Sequence, residues 1–224
     1  MIEIDIINQS NNVYEGSLLF GTPLHGSDSS RFIFDTGSGW LAVTSVECNH
    51  CKTHYYNQTS SRTSKTVDHT PLSLDYGIVK LNGTFVADRV CLRKGICVSD
   101  FGFLKITKEI GLYRINGILG LAPDENGNGP SFIGAMRDEG LIDEEIATFW
   151  LNDNSIGSKV TFGGVLSDAI DGPLYDLKLD QYNHEWWTVD ITSGGYGELK
   201  FTNVTKAILD TGTSFILLAE SDYL

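Results

Sequence analysis

The sequence contains two copies of a short pattern in which apolar residues lead directly into Asp-Thr-Gly and a hydroxyl residue. The first copy spans Phe32–Ser38 and the second Ala207–Thr213, so that Asp35 and Asp210 lie 175 residues apart (210 minus 35). Each copy predicts a buried strand that ends in a tight turn bearing a carboxylate. Repeated units often form duplicated lobes with a shared site, so we expect the two aspartates to face each other.

Such a pair of aspartates could catalyse hydrolysis. Two carboxyl groups about 3 Å apart cannot both ionise, because their like charges raise one pKa and leave the other low. The pair then shares one proton and titrates as a unit. One carboxyl can deprotonate a water molecule while the other protonates a carbonyl oxygen, which hydrolyses an amide without a covalent intermediate.

The residues after each aspartate suit this chemistry. Glycine lets backbone amides approach a carboxylate, a hydroxyl can donate to its outer oxygen, and threonines at the contact could bond across a twofold axis. These active-site support residues are Thr36, Gly37 and Ser38 in the first copy, and Thr211, Gly212 and Thr213 in the second.

Other interpretations of the two copies exist. A single Asp-Thr-Gly is weak evidence, because strand-to-turn junctions favour these residues on backbone grounds alone. Asp210 could also be a phosphate acceptor, since some phosphotransferases carry a similar string with a lysine after the aspartate. No lysine follows Asp210, and the sequence has no glycine-rich phosphate loop ending in Lys and Ser or Thr.

In these two loops and in several further motifs, the chain resembles the pepsin-like aspartic proteases, the eukaryotic aspartyl protease family. Leu74–Gly77, followed by Asn82–Thr84, is similar to the flap hairpin, with Tyr76 in place of the flap tyrosine. The other similar segments are the apolar crossing loop Ile115–Leu121 and the lobe-boundary strands Val160–Gly164 and Trp187–Asp190. The resemblance runs from about Tyr14 to the last residue, in the family's order.

The resemblance implies an aspartic-type endopeptidase that cuts polypeptides next to apolar residues at acidic pH. Asp35 and Asp210 would be catalytic, and the flap bearing Tyr76 and Gly77 would close over the substrate. The residues expected to line apolar subsites are Ile33, Ile115, Ile118 and Ile208. No cofactor or metal ion is expected. The alternative is a weak or inactive peptide-binding fragment, because the second lobe is incomplete.

The expected fold is all-β and bilobal, with a complete N-terminal lobe at 1–172 and a partial C-terminal lobe at 173–224. Short runs rich in Val, Ile, Thr, Phe and Tyr alternate with Gly, Asn, Asp and Ser, as in all-β proteins. The crossing loop of the second copy should fall near residue 291 (116 plus 175), which lies beyond Leu224. One of the predicted strands is Leu174–Lys178, and the best helix candidate is Ser131–Glu139.

Ala42 departs from the family pattern, because the family usually has a tryptophan there whose indole holds the flap tyrosine. Trp40 lies two residues earlier and on the same side of an extended strand, so it could substitute. Asn116 stands where an aspartate is more usual, and Val79 replaces a flap glycine.

Composition excludes some partners. The net charge of −13 and the pI near 4.6 argue against nucleic-acid binding, because a basic face is needed to neutralise phosphates. No apolar stretch approaches the roughly 18 residues of a membrane span. We also expect the chain to be a monomer. No secretory signal is visible at the first residues, which carry charge.

Cysteines and sequons nevertheless favour the secretory pathway, the lysosome or vacuole, or the extracellular space. Cys91 and Cys97 bracket a plausible hairpin within disulfide reach. Cys48 and Cys51 could bind zinc together with His50 and His54, or form a redox motif, whereas the family resemblance implies a short cystine loop there. The candidate glycosylation sites are Asn8, Asn57, Asn82 and Asn203.

Overall fold

The computed structural model describes residues 1–123, 128–180, 185–201 and 204–220. Most of its regular structure is strand, which confirms the all-β prediction. The strands are β1 (Ile2–Gln9), β2 (Val13–Gly16), β3 (Leu19–Phe20), β4 (Phe32–Asp35), β5 (Leu41–Thr44), β6 (Lys65–Tyr76), β7 (Val79–Arg93), β8 (Ile96–Ile110), β9 (Gly117–Gly120), β10 (Ala147–Trp150), β11 (Ser158–Phe162), β12 (Thr188–Asp190), β13 (Gly194–Tyr196), β14 (Leu199–Phe201) and β15 (Lys206–Ile208).

The first eleven strands form one sheet, in the order β10-β11-β1-β2-β4-β9-β5-β8-β7-β3, with β6 paired to β7. Most neighbours are antiparallel, but β4 runs parallel to β9 and β5 runs parallel to β8. The strand that carries the first aspartate is therefore paired on both edges, with β2 on one side and β9 on the other.

Alternating apolar residues explain how the sheet encloses its core. In β1, Ile2, Ile4 and Ile6 are buried while Asp5 and Ile7 are exposed, as the twofold period of a strand requires. A large cluster of aromatic and aliphatic residues includes Phe20, Phe32 and Phe103. A second cluster lies around Leu81, Leu104 and Ile118, beneath the flap.

One α-helix, α1 (Phe132–Asp138), packs against the sheet, close to the predicted bounds of Ser131–Glu139. The hydroxyl of Ser131 caps its start by accepting from Gly134 N at 3.0 Å. Gly140, with φ of +69°, follows its end. No helix in the described ranges is long and apolar enough to cross a bilayer.

After Phe162 the chain forms two small sheets, β12 with β15 and β13 with β14. The predicted strand at Leu174–Lys178 is wrong, because this segment has no strand conformation. Leu174 and Leu177 are exposed, because their segment does not pair with a strand and does not pack on a sheet. Val189 is the one buried apolar residue after Phe162 in the part of the chain that the structure describes.

Candidate active site

Strand β4 delivers Asp35 to the end of the large sheet. Its neighbour β9 continues past Gly120, where Leu121 N donates to Asp35 O at 2.8 Å and Ala122 N donates to Ser38 O at 2.9 Å. Asp210 follows β15, whose partner is β12; Leu209 N extends that pairing by donating to Trp187 O at 3.1 Å. Each aspartate therefore stands at a strand end where the chain turns.

Reciprocal hydrogen bonds between two threonines join the loops. Thr211 Oγ1 accepts from Thr36 N at 3.0 Å and donates to Phe34 O at 2.7 Å. In the mirrored pair, Thr36 Oγ1 accepts from Thr211 N at 2.9 Å and donates to Leu209 O at 2.7 Å. Four hydrogen bonds with this local twofold symmetry fix the distance between the two aspartate loops.

Each carboxylate accepts two hydrogen bonds from its own loop. Asp35 accepts from Gly37 N at 2.9 Å and from Ser38 Oγ at 2.5 Å. Asp210 accepts from Gly212 N at 2.8 Å and from Thr213 Oγ1 at 2.5 Å. The two donor sets have the same composition, so the sites are equivalent in hydrogen bonding.

The two glycines are required because each faces the opposite aspartate. A Cβ atom on Gly37 would overlap the carboxyl group of Asp210, and one on Gly212 would overlap Asp35. A side chain at either position would displace the opposite carboxyl group. The carboxyl groups thus meet across the glycine turns, as the spacing of the two copies predicts.

The environment of Asp35 favours its protonated form. The side chain is buried, and burial, followed by the negative charge of Asp210, raises its pKa to about 6, although the hydrogen bonds from Ser38 and Gly37 oppose the rise. Asp210 is only half-buried. Asp35 therefore keeps its proton at pH values where an ordinary aspartate has lost it.

Comparisons with known proteins agree with this geometry. The family model of eukaryotic aspartyl proteases matches residues 13–223, nearly the whole chain. The chain belongs to the eukaryotic aspartyl protease family. It is 34% identical to vacuolar protease A of Neurospora crassa, over 96% of this chain and 55% of that protein.

Other relatives show similar coverage. Embryonic pepsinogen of Gallus gallus is 29% identical, over 97% of this chain and 58% of its own length. Plasmepsin IV of Plasmodium falciparum is 32% identical, over 96% of this chain and 48% of its own length. The chain thus spans about half the length of the curated relatives it matches.

The segment that resembles the family's flap is a hairpin, in which β6 and β7 are joined at Gly77 and Ile78. Gly77 has φ of +72°, which glycine adopts readily, and Ile78 at the tip is 84% exposed. The Tyr76 hydroxyl is buried and makes no hydrogen bond within the described ranges. Burial, followed by the charge of Asp35, raises the Tyr76 pKa, which places this hydroxyl near the aspartates.

Trp40 does not replace the family's tryptophan, contrary to one of the expectations from sequence. Its ring packs edge-on against Phe85 with centroids 5.3 Å apart, and it contributes no hydrogen bond to Tyr76. Ala42 is fully buried in the cluster against which Tyr76 packs. Tyr76 is therefore held mainly by apolar contacts, with the Ser38 hydroxyl close to its own.

The residues predicted to line subsites differ in exposure. Ile115 and Ile118 are each 6% exposed in the cluster beneath the flap, and Ile33 packs against that cluster. Ile208 is 48% exposed. These four residues do not line the cavity that borders Thr36, Leu209 and Asp210.

That cavity has a volume of about 830 Å³ and was not predicted from the sequence. It is bordered by Thr36 and the second aspartate loop, and the Trp187 Nε1 beside it donates to Leu121 O at 2.9 Å. Ser214 Oγ also donates to Asn12 O there. The cavity is bordered by hydrogen bonds between side chains and backbone carbonyls of distant segments. Such contacts produce no periodic pattern in the sequence, so the cavity could not be predicted from it.

Both predicted disulfides are present, between Cys48 and Cys51 and between Cys91 and Cys97. Among the sequons, Asn8 is 3% exposed and its side-chain nitrogen donates to Asn152 O at 2.9 Å. Its amide is thus inaccessible in the folded protein. The other sequon asparagines are the partly exposed Asn57 and Asn82, and Asn203, which lies outside the described residues.

Proposed function

We propose that this chain forms the active site of an aspartic-type endopeptidase in which Asp35 and Asp210 activate water. The observation that supports this most strongly is the reciprocal pair of threonine hydrogen bonds, Thr36 to the second loop and Thr211 to the first. They bring two carboxyl groups into one site where burial and mutual repulsion keep a proton.

The reaction follows from that shared proton. One ionised carboxylate takes a proton from a bound water as its oxygen attacks the peptide carbonyl carbon, and the other carboxyl gives its proton to the carbonyl oxygen. As the tetrahedral intermediate collapses, the carboxyl that took the proton from water gives it to the leaving amine and the C–N bond breaks. The other carboxylate takes a proton from a hydroxyl of the intermediate as the carbonyl re-forms, which restores the shared proton. The pair is active with one proton in total. Because the pKa of Asp35 is about 6, that proton is retained at acidic pH, and we propose that hydrolysis is faster there.

The flap and the apolar wall give this site its substrate class. The exposed tip at Gly77 and Ile78 can close over an extended polypeptide and exclude water during hydrolysis. Ile33, Ile118 and their neighbours beneath Tyr76 favour apolar side chains next to the cleaved bond. We therefore propose a preference for peptide bonds flanked by apolar residues.

A second candidate function is peptide binding without turnover. Leu209, next to Asp210, is 52% exposed, whereas its counterpart Phe34 is 1% exposed. A carboxylate on a poorly supported strand can be misplaced by about 1 Å, which is enough to lose most of the rate.

We further propose two units, 1–172 and 173–224, in a monomer that binds no nucleic acid and acts in the secretory pathway or a vacuole. The two disulfides fit an oxidising compartment, and a related protein is named vacuolar protease A. The acidic surface disfavours nucleic acid.

The test is hydrolysis of a denatured protein by the purified chain between pH 3 and 6. We expect Asp35→Asn to lower the rate at least about 100-fold, because it removes the shared proton. Asp153→Asn, which removes an exposed carboxylate on a loop, is the matched control. Equal rates for the protein and Asp35→Asn would reject the endopeptidase.

Peptide binding without turnover is tested separately. A hexapeptide with a non-cleavable hydroxyethylene group between Phe and Leu should bind in either case. Saturable binding with no hydrolysis at any of these pH values would support the second candidate over the first.

A further inference from the structure

The tip of the β6–β7 hairpin carries two opposite charges on its outer face. Asp75 lies directly across from Lys80 in the strand register, and its carboxylate is 3.1 Å from the Lys80 ammonium. Tyr76 follows Asp75 and points to the inner face, where it packs on the cluster beneath the flap, because successive side chains of a strand alternate. The ion pair and the tyrosine near Asp35 are therefore adjacent on one strand.

Asp75 also closes the turn at the tip. Its Oδ1 accepts from Gly77 N at 3.0 Å, which forms an Asx turn around Tyr76. Gly77 is in the left-handed region, with φ of +72°, so the chain reverses immediately after the tyrosine. The Asp75 carboxylate thus holds the backbone on both sides of Tyr76.

Packing supports only one side of the tip. On the side of β8, Ile78 O lies so close to Gly111 that a Cβ atom there would be 2.6 Å from it. On the other side, no atom of the described chain except the sequence neighbours of Gly77 lies within 4 Å of the place that its Cβ would take. The conformation of Gly77 therefore depends on its bond to Asp75 rather than on packing.

The charges on the outer face near Asp75 are positive. Lys80 is its direct partner on β7, and the exposed Lys108 lies on the same face of β8, opposite Asn82. Glu109, the next residue of β8, is buried on the opposite face. The three strands thus surround the Asp75 carboxylate with ammonium groups, which favours its ionised form.

These contacts keep Asp75 ionised in all but strongly acidic solution. The hydrogen bond from Lys80 and its positive charge, together with the bond from Gly77 N, hold the pKa of Asp75 below its usual value of 3.8. The contacts are therefore present above this pKa and weaken as pH falls through it. Proton uptake removes the attraction to Lys80 and leaves a neutral carboxyl group, which is the weaker acceptor for Gly77 N.

We propose that Asp75 is a positioning residue for hydrolysis, whose carboxylate fixes the flap tip and Tyr76 through Lys80 and Gly77 N and releases them when it is protonated. The effect on hydrolysis rests on the proposed function, whereas the release of the tip rests on these contacts alone. The acidic limit of hydrolysis is then set by the flap as well as by the aspartate pair.

The contribution of Asp75 should be visible in substrate binding. Asp75 and Lys80 are 61% and 56% exposed, and an exposed ion pair changes an equilibrium by roughly two- to fivefold. Such a change leaves the overall fold intact but alters how often the tip with Tyr76 covers the site. Contacts that hold bound substrate and transition state equally well change KM and leave kcat unchanged.

The first test needs no hydrolysis and follows the protection of the Gly77 amide against hydrogen exchange by NMR. At about pH 6, Asp75→Asn should lower this protection roughly threefold, because it keeps an acceptor oxygen and removes the charge. At about pH 2.5 the two proteins should be nearly equal, because Asp75 is then largely protonated. Amides in the middle of β7 and β8 report global stability and should be alike in both.

A second variant identifies Lys80 as the partner. Lys80→Gln removes the positive charge and leaves the Asx turn in place. Protection of Gly77 should then begin to fall at a higher pH than in the unchanged protein, because the pKa of Asp75 returns towards its usual value.

The second test compares KM and kcat for a peptide substrate. The KM of Asp75→Asn should be roughly three times that of the unchanged protein at about pH 5 and nearly equal to it at about pH 2.5, with kcat alike throughout. Asp68→Asn is the matched control, because Asp68 is also an exposed aspartate of β6 and accepts from Thr70 N at 2.8 Å. It should behave as the unchanged protein at every pH.

Several results would overturn the proposal. These are equal protection of Gly77 in the unchanged protein and Asp75→Asn at about pH 6, a pH profile that Lys80→Gln leaves in place, or a KM ratio that does not change with pH. If the unchanged protein hydrolyses nothing, the endopeptidase function fails, and the protection of Gly77 still decides whether Asp75 holds the tip.

Discussion

The hydroxyl of Tyr76 is an unusual buried group at the site. It lies near Asp35 and the Ser38 hydroxyl, is shielded from solvent and makes no hydrogen bond of normal geometry in the described ranges. A buried polar group without a partner costs roughly 1–3 kcal/mol. The alanine at position 42 cannot donate or accept through its side chain, so the usual solution of this family is missing.

We predict that Tyr76→Phe stabilises the chain by about 1 kcal/mol, because it removes the unpaired hydroxyl and keeps the ring. Tyr55→Phe is the matched control and should destabilise by about as much. Its hydroxyl donates to Leu18 O at 2.6 Å and accepts from Ser27 N at 3.1 Å. Urea unfolding measures both changes, and similar losses in the two variants would contradict the prediction.

Asp35 also makes stability depend on pH. Its pKa is raised from 3.8 to about 6 in the folded protein, so between these values the unfolded chain loses a proton that the folded chain keeps. The contribution of Asp35 is therefore fully present below about pH 4 and is lost as pH rises through 6. The loss is roughly 3 kcal/mol at most.

The measurement is the free energy of unfolding of the protein minus that of Asp35→Asn, at pH 4 and pH 7. We expect this difference to fall by up to about 3 kcal/mol at the higher pH. Asp153→Asn controls for the loss of an exposed carboxylate. A difference that is equal at both pH values would refute the raised pKa.

At the scale of elements, the link between β4 and β15 depends on two threonine side chains rather than on strand pairing. Thr211 alone bridges Thr36 N and Phe34 O. Within its own sheet β15 pairs with β12 and not with a strand of the first half. Removal of one hydroxyl should thus loosen the whole second loop.

We predict that Thr211→Val, which keeps the shape of the side chain, costs roughly 1–3 kcal/mol of the interaction between the halves. Amide exchange at 206–213 should become faster while exchange in β7 and β8 stays unchanged. Thr205→Val, at an exposed position just before β15, is the control. Unchanged exchange at β15 in Thr211→Val would show that the threonines do not hold the loops together.

At the scale of the whole molecule, stability is concentrated in the first half. The buried apolar residues of the described chain come from the segment up to Phe162, apart from Val189. Exposed large apolar residues are instead frequent after it, as at Tyr175, Phe215 and Leu217. Segments with little buried apolar area open at low free energy.

We therefore predict that amides in β4, β7, β8 and β9 exchange only through global unfolding, and those in β12 to β15 through local opening. Limited proteolysis should cut first between 173 and 220. Mass spectrometry of early fragments checks this prediction, and first cleavage within β7 or β8 would disprove it.

Features that depend on local pattern and repetition could be predicted from the sequence. The two Asp-Thr-Gly loops, the all-β character and the helix near Ser131 are visible because apolar period and turn residues are encoded within a few positions. The first part of β6 carries no local strand signal, because Lys65–Leu72 is largely exposed and contains Pro71; its strand conformation depends on pairing with β7.

Features that depend on contacts between distant segments are visible in the folded protein and not in the sequence. Leu174–Lys178 has an alternating pattern but no neighbouring strand, so it remains irregular. Trp40 points to Phe85 and not to Tyr76 because packing, not proximity in sequence, sets its direction. The burial of Asp35 and of the Tyr76 hydroxyl likewise arises where segments far apart in the chain meet, which no local sequence pattern specifies.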